Sequence, residues 1–258
     1  MTDVTPPASD AKHRLESLWS RVAAPPTFPL EHIDVWRVRL DEPQNESAEN
    51  NVLSPDEIAR ATLFHFEKDR ARFRRCRFAL RTLLSDSLAI PASEILIEYL
   101  ASGKPQLTGG QNLRSLQFNV SHSADLALIA FGSKHRLGVD IEKVRADVDT
   151  AALASRFFSP HERDALQSLP DHLRLDGFFA CWTRKEAFLK ATGDGLSFPL
   201  ADFSVTPDPD RDPRLEELQG DVATGERWFL SDLRGIEGFR AALAVERSSS
   251  HLNTYAWN

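Results

Sequence analysis

The order of helical and extended patterns in the chain predicts an α+β fold built from two similar halves. In the first half, a long helical pattern at about 69–88 precedes a group of strand patterns, and in the second half the helical pattern at 172–191 also precedes strands. This order differs from the alternation of strands and helices in a parallel sheet. The length of 258 residues suits one large domain or two small ones. We therefore expect two pseudo-duplicated halves with antiparallel strands and one long helix each. The likeness lies in element order, because no repeat of individual residues is visible.

Proline content, alternation and capping residues predict the first elements. Residues 1–30 are rich in proline and are expected to form a loosely structured N-terminal extension. Alternating apolar and polar residues at 33–40 predict a half-buried strand, and the polar segment 41–51 predicts a linker. Ser54-Pro55-Asp56-Glu57 then predicts a helix start, with serine as N-cap, proline at the first position and glutamate completing a capping box.

Periodicity predicts the remaining elements. The long helix at 69–88 ends before Pro91, and a Gly103-Lys104-Pro105 turn joins the next two strands. The strands predicted around this turn and after it are 95–100, 115–120, 126–131 and 137–142. Later helices are predicted at 159–169 and 172–191, and later strands at 202–205, 227–233 and 239–246. We assign residues 31–135 to an N-terminal half and residues 136–258 to a C-terminal half.

The composition excludes several classes of protein. No apolar run approaches the ~18 residues that a membrane-spanning helix needs, and the polar N-terminus shows no secretory signal. Cys76 and Cys181 lie far apart and do not form a disulfide framework. The net charge of −7 disfavours general affinity for nucleic acids. The sequence therefore predicts a cytoplasmic protein that binds neither membranes nor nucleic acids.

One local cluster of basic residues contrasts with the acidic total. Seven basic residues and a single acid lie between Lys68 and Arg81. Four of the arginines share one helix face: Arg70, Arg74, Arg77 and Arg81. This stripe is either a solvated helix face, which is the default for long basic side chains, or an anion site for phosphates.

Three acidic residues carry the strongest chemical signal. Asp140 and Glu142 lie two apart on a predicted strand and project from the same face. Glu186 lies four residues before Lys190 on a predicted helix, so the two are neighbours on one helix face. Taken separately, these pairs are typical of a polar strand face and a surface ion pair. Together they indicate a site for a hard cation, Mg²⁺ or Mn²⁺, which prefers oxygen ligands and leaves positions for water and phosphates.

Other catalytic classes lose support because their motifs are missing. The sequence has no His/Cys cluster with metal-ligand spacing, no phosphate-binding loop of the G-x-x-x-x-G-K-[ST] type and no G-x-S-x-G elbow. Ser121 and His122 follow a strand and could donate hydrogen bonds to a phosphate. Ordinary turn chemistry is the alternative for this pair and for the exposed Lys104.

An ordered set of motifs resembles the 4′-phosphopantetheinyl transferases, specifically the larger surfactin-synthetase-activating type. The set consists of Arg60, Gly103-Lys104-Pro105, Asn119-Val120-Ser121-His122, Gly138-Val139-Asp140-Ile141-Glu142 and Trp182-x-x-Lys185-Glu186-x-x-x-Lys190. The resemblance runs from about residue 53 to residue 200. The last two motifs, some forty residues apart, are its most specific part.

The resemblance implies a fold, a reaction and partners. Coenzyme A would lie in a cleft between the two halves, and its phosphopantetheine arm would move to a serine of an acyl or peptidyl carrier protein, with release of 3′,5′-ADP. The segment after the long second helix, Gly193-Asp194-Gly195-Leu196, matches the region where carriers dock. The apolar stretch 196–200 is expected to belong to the docking surface, with core packing as the alternative for Phe198. A monomer is expected.

The resemblance also implies roles for individual residues. Asp140, Glu142 and Glu186 would hold Mg²⁺. Glu186 and Lys190 would be catalytic, with Glu186 acting as base, as metal ligand or as both. The residues expected at coenzyme A are Arg60, Gly103, Lys104, Pro105, Asn119, Ser121, His122, Asp140, Lys185, Glu186 and Lys190. A metal-dependent nuclease or phosphatase that uses the same acids is the alternative, and a non-catalytic anion-binding module is a second.

Overall fold

The computed structural model describes residues 19–21, 32–42, 45–112, 115–193, 195, 198–218, 225–246 and 251–257. The helices are α1 (Glu46–Asn50), α2 (Pro55–Thr62), α3 (Glu67–Leu88), α4 (Thr150–Phe157), α5 (Pro160–Ser168) and α6 (Asp171–Thr192). The strands are β1 (Ser20–Arg21), β2 (His32–Arg39), β3 (Ile97–Tyr99), β4 (Pro105–Leu107), β5 (Leu116–Ser123), β6 (Leu126–Ser133), β7 (Leu137–Lys143), β8 (Phe203–Val205), β9 (Leu215–Leu218), β10 (Trp228–Asp232), β11 (Phe239–Glu246) and β12 (His251–Trp257). Apart from residues 19–21, the expected extension 1–30 lies outside the described residues.

Two sheets carry most of the strands, and the predicted α+β class is confirmed. The larger sheet has the strand order β1-β12-β2-β6-β5, and the second has the order β10-β11-β7. Most pairs are antiparallel, but β12 pairs in parallel with both β1 and β2. The chain therefore returns to the first sheet after completing the second one.

The described residues form three apolar cores. Two lie between a sheet and the long helix that covers it, and the third lies between the two sheets. Helix α3 packs against β2 through residues such as Leu80, Leu84 and Trp36. Helix α6 packs against β11 through residues such as Phe188 and Ala242. The opposite faces of the two sheets meet in a cluster built from β2, β6, β7 and β11. This arrangement places the two long helices on the outside and the sheet faces between them.

The two halves are alike at the level of individual residues, which the sequence analysis missed. Ser54 caps α2 and Ser159 caps α5, each followed by proline and each closing a capping box with a glutamate, Glu57 or Glu162. Each short helix is followed by a helix of 22 residues. The motif Ser-Pro-x-Glu is short, so it becomes meaningful only when the structure shows that both glutamates are buried.

Most of the basic stripe on α3 is held in ion pairs with neighbouring helices and does not form a solvated face. Arg77 and Arg81 are 7% and 2% exposed, and both donate to the Glu57 carboxylate at 2.5 Å. Arg74 donates to Glu49 on α1 at 3.2 Å. Charged partners on α1 and α2 therefore bury most of this stripe in packing contacts between helices. The segment predicted as a linker, 41–51, contributes α1 to that packing.

No helix among the described residues is long and apolar enough to cross a membrane.

Candidate active site

A cleft of about 910 Å³ opens where β5 of the first half meets β7 and α6 of the second half. Its polar wall is formed by Ser121, His122, Asp140, Glu142, Glu186 and Lys190. Its lining also includes Arg156 and an apolar wall formed by Phe157, Trp182, Phe198 and Leu200. The structure therefore brings the three predicted acids, Lys190 and the Ser-His pair into one cleft.

Asp140 is the most constrained acid of the polar wall. It is 3% exposed, and its Oδ1 accepts hydrogen bonds from Lys190 Nζ at 2.6 Å and from Ser121 Oγ at 2.8 Å. Its Oδ2 is buried, and no described residue is bonded to it. A buried carboxylate oxygen without a partner is costly, so this atom is suited to a ligand that brings positive charge.

Glu142 and Glu186 carry negative charge into the same space. Burial raises the pKa of both carboxyl groups, and the nearby Asp140 raises both further. Lys190 opposes this rise at both residues. The three acids share this cleft with the cations Lys190 and Arg156, so one negative charge is left in excess, which a bound cation would neutralise.

A glycine sets the distance between strand β7 and helix α6. A Cβ atom at Gly138 would lie 2.2 Å from the Ala187 carbonyl oxygen and 2.3 Å from the Ala191 nitrogen. Helix backbone cannot move aside cheaply, so only glycine allows this close approach. The contact brings Asp140, two residues further along the strand, to Lys190 on the helix.

His122 opens into the cleft at the end of β5. Desolvation by the surrounding walls lowers the pKa of its imidazole, and Lys190 lowers it further, while Asp140 raises it. The ring is therefore biased towards the neutral form, which still keeps one N–H donor.

The structure places Lys185 outside the cleft, against the expectation that it contacts coenzyme A. Its side chain is fully buried, and Nζ donates to both oxygens of Glu162 at 2.7 Å and to the Phe203 carbonyl at 2.6 Å. An ammonium group has three donors, and these three bonds use all of them. Lys185 is thus a structural residue of the second half.

Lys104 also makes contacts other than those expected. Its Nζ donates to the carbonyl oxygens of Lys190 at 2.7 Å, Ala191 at 3.2 Å and Leu137 at 3.2 Å. Burial lowers the pKa of this amine to about 8. In the described structure, Lys104 is engaged at the end of α6 and has no N–H left for a phosphate. The turn that carries it is as predicted, with Gly103 at φ +83°.

The other residues expected at coenzyme A lie in different surroundings. Asn119 accepts a hydrogen bond from the Val139 amide at 2.9 Å and so joins β5 to β7. The Arg60 guanidinium lies over the rings of Phe73 and Tyr99, at 5.7 and 5.9 Å from their centres. Arg60 remains exposed on α2 and is not part of the cleft wall. Pro105 begins β4.

Sequence reasoning missed two features of the cleft. Ser123 hydrogen-bonds to Glu142, and its position two residues after Ser121 on a strand was a usable signal. The apolar wall was not foreseen either, because Phe157 lies on α4, a helix that the sequence analysis did not predict. Of the predicted docking segment, Leu196 and Ser197 lie outside the described residues, and Phe198 packs against Phe203 with ring centres 5.9 Å apart.

Carboxylates, a lysine and a histidine that converge on one cleft are typical of enzymes that transfer phosphate-linked groups. Comparison with known families agrees. The 4′-phosphopantetheinyl transferase superfamily matches residues 136–244, and the N-terminal region of a 4′-phosphopantetheinyl transferase family matches residues 41–134. The chain belongs to the 4′-phosphopantetheinyl transferase superfamily and is a transferase of that class.

Individual relatives support the same assignment over most of the chain. The 4′-phosphopantetheinyl transferase HetI of Nostoc sp. is 36% identical over 234 residues, which cover 90% of this chain and 94% of that protein. A putative 4′-phosphopantetheinyl transferase of Synechocystis sp. is 37% identical over 70% of this chain and 71% of its own length. The 4′-phosphopantetheinyl transferase Sfp of Bacillus subtilis is 29% identical over 66% of this chain and 75% of its own. The resemblance found in the sequence is therefore confirmed.

Proposed function

We propose that this transferase moves the 4′-phosphopantetheine arm of coenzyme A onto a serine of an acyl or peptidyl carrier protein, with Mg²⁺ bound and with release of 3′,5′-ADP. The observation that carries the proposal is the unpartnered, buried Oδ2 of Asp140. It lies in a cleft that Glu142, Glu186 and Lys190 also line. The substrate class and the carrier are those that the family resemblance implies.

The donor set fits a hard divalent cation. Asp140, Glu142 and Glu186 would hold it, because carboxylate oxygens are the ligands that Mg²⁺ and Mn²⁺ prefer. No three His, Cys, Asp or Glu side chains within the described ranges are already gathered at metal-binding distance. Both glutamates have a pKa raised in part by the charge of Asp140, and a bound cation would relieve that repulsion. When bound, the ion would neutralise charge that develops on the pyrophosphate.

Lys190 and His122 are placed to bind phosphate oxygens. The Lys190 side chain is 30% exposed, and its Nζ donates to Asp140 Oδ1 and to Ser121 Oγ, so a third N–H is left for a phosphate. His122, biased towards the neutral form, would offer one N–H donor, and an approaching phosphate would favour its protonation. Arg60, exposed outside the cleft, would then meet a more remote phosphate.

Glu186 is the best-placed proton acceptor. Its raised pKa makes the carboxylate a stronger base than an exposed glutamate. In the transfer, the carrier serine oxygen forms a bond to the phosphorus that bears pantetheine, the bond from that phosphorus to the bridging oxygen breaks, and the serine proton passes to Glu186. The bridging oxygen leaves as part of 3′,5′-ADP.

Mass spectrometry of an apo carrier protein incubated with the enzyme, coenzyme A and Mg²⁺ tests the proposal. We expect the carrier to gain one phosphopantetheine and EDTA to prevent the gain. Asp140→Asn should abolish the transfer, whereas Asp171→Asn, a matched change at the exposed start of α6, should not. The proposal would be contradicted if the wild-type enzyme modified neither acyl nor peptidyl carrier proteins. Full activity of Asp140→Asn at saturating Mg²⁺ would contradict it as well.

The nuclease or phosphatase alternative has less support. It relied on a basic helix face for a nucleic-acid backbone, and Arg77 and Arg81 of that face are buried against Glu57. The same assay, run with a polynucleotide and with a phosphomonoester, should show no hydrolysis.

A further inference from the structure

Strands β5 and β7 lie side by side without forming a shared sheet. They belong to separate hydrogen-bonded sheets, and side chains of β5 bridge them. The amide nitrogens of Val139, Ile141 and Lys143 donate to the side chains of Asn119, Ser121 and Ser123, respectively. Each bond joins residues 20 apart, so the two strands run in parallel.

These three hydrogen bonds form a ladder between β5 and β7, and its two serines make the same kind of contacts. Ser121 Oγ accepts from the Ile141 amide at 3.3 Å and donates to Asp140 Oδ1 at 2.8 Å. Ser123 Oγ accepts from the Lys143 amide at 3.1 Å and donates to Glu142 Oε2 at 2.8 Å. Each hydroxyl thus binds an acid of β7 together with the peptide nitrogen that follows that acid.

A hydroxyl has one proton to donate, and the ladder determines where it points. The amide of residue 143 is a donor, so it occupies a lone pair of Ser123 Oγ and leaves the proton for the Glu142 carboxylate. The side chain of Glu142 has three rotatable bonds, and this hydrogen bond restricts them. Of the three acids, Asp140 is additionally held by Lys190, whereas Glu142 receives its described hydrogen bond from Ser123.

We propose that Ser123 is a positioning residue that fixes the direction of the Glu142 carboxylate for metal binding. The inference rests on the proposed function, because it takes Glu142 as a metal ligand. Residues that orient metal ligands typically change metal affinity by 10- to 100-fold when they are removed. Glu142 is partly exposed to the cleft, so we expect the lower end of that range.

The experiment measures Mn²⁺ binding by electron paramagnetic resonance in the presence of coenzyme A and without carrier protein, so that no turnover is involved. Ser123→Thr and Ser123→Val form a matched pair, because the two side chains have the same shape and differ in the hydroxyl. We expect Ser123→Val to raise the Mn²⁺ dissociation constant about 10-fold and Ser123→Thr to stay within about 2-fold of the wild type. Ser231→Ala, on the distant strand β10, should leave the constant unchanged.

A double-mutant cycle separates positioning from a general structural effect. If Ser123 acts through Glu142, Ser123→Val has no further effect once Glu142→Gln is present. Wild-type affinity in Ser123→Val, or an equal loss in both backgrounds, would overturn the inference while leaving the metal assignment intact. A wild-type enzyme that binds no Mn²⁺, or a Glu142→Gln variant with unchanged affinity, would overturn the metal assignment of the proposed function and the inference with it. Thermal melting of each variant identifies any that does not fold. If Ser123→Val does not fold, Ser123→Ala, which also lacks the hydroxyl, takes its place, with the same expected loss and the same contradicting result.

Discussion

The two long helices, α3 and α6, share a framework but differ in chemistry. The fifteenth residue of each helix is a buried cation, Arg81 or Lys185, and each binds the capping-box glutamate of the preceding short helix. The next position is Thr82 in α3 and Glu186 in α6. The twentieth position is Asp86 in α3 and Lys190 in α6.

The strands that face these helices differ in the same way. Strand β2 presents Trp36 and Val38 to α3, where they join the apolar core. Strand β7 presents Asp140 and Glu142 to the cleft beside α6. The comparison shows that a buried ion pair stabilises both halves, whereas the cleft acids and Lys190 occur in the second half only.

The largest effect on stability should come from breaking the buried ion pair between Lys185 and Glu162 in the second half. Lys185→Met leaves Glu162 as a fully buried charge without its cation, so we expect a loss of about 4 kcal/mol in the free energy of unfolding. Arg81→Met should cost about half of that, because Arg77 still binds Glu57. Urea unfolding followed by circular dichroism measures both values.

The same variants test what Lys185 does. A Lys185→Met enzyme that is as stable as the wild type but has a raised KM for coenzyme A would restore the role that the resemblance implied. It would also show that Lys185 in α6 and Arg81 in α3 do not have equivalent structural roles.

The next effect concerns the position that follows each buried cation. Glu186→Gln should lower the rate of carrier modification by about 100- to 1000-fold, since it removes the proposed base and a metal ligand. Thr82→Val, the matched change in α3, should leave the rate within about 2-fold of the wild type, because no residue of α3 lines the cleft. Initial rates by mass spectrometry decide the matter, and a strong loss in Thr82→Val would mean that the first half takes a direct part in the chemistry.

The smallest effect lies at the C-terminal ends of the two helices. α3 ends at Ala89 in a left-handed conformation without a lysine cap, whereas α6 ends at Gly193 with Lys104 on its last carbonyls. Burial lowers the Lys104 pKa from its ordinary 10.5 to about 8. Between these two values the unfolded chain binds more protons than the folded protein, so the free energy of unfolding rises with pH.

The quantity to measure is the difference in the free energy of unfolding between the wild type and the Lys104→Met variant. We expect this difference to grow in favour of the wild type by on the order of 1 kcal/mol between about pH 8 and pH 10, after allowance for solvent screening of a partly exposed amine. Chemical unfolding at several pH values measures it. A difference that stays constant with pH would show that Lys104 is not buried at the helix end in solution.

Sequence patterns predicted the elements that depend on local residues. Alternation located β2, and Ser54-Pro55-Asp56-Glu57 located the start of α2 with its capping box. The acids of the cleft followed from the period of two on a strand and the spacing of four on a helix. These patterns involve residues close together in sequence, so they can be recognised without knowledge of the tertiary structure.

Features that depend on distant partners were not predictable in the same way. Lys185 stands beside Glu186 in sequence, but neighbours on a helix point about 100° apart, so one side chain reaches Glu162 and the other faces the cleft. Strand β12 pairs with β2, which lies more than 200 residues earlier, and nothing local in either segment indicates this pairing. Lys104 likewise finds its carbonyl partners on α6.

The position of β12 between β1 and β2 has a consequence for biosynthesis. One edge of β2 stays without its neighbour until residues 251–257 have left the ribosome, although the rest of the first sheet emerges much earlier. An unpaired strand edge can bind other chains and promote aggregation. The nascent protein therefore holds an open edge from the time β2 emerges until β12 emerges, and a fragment that stops before residue 251 would lack the strand that covers this edge.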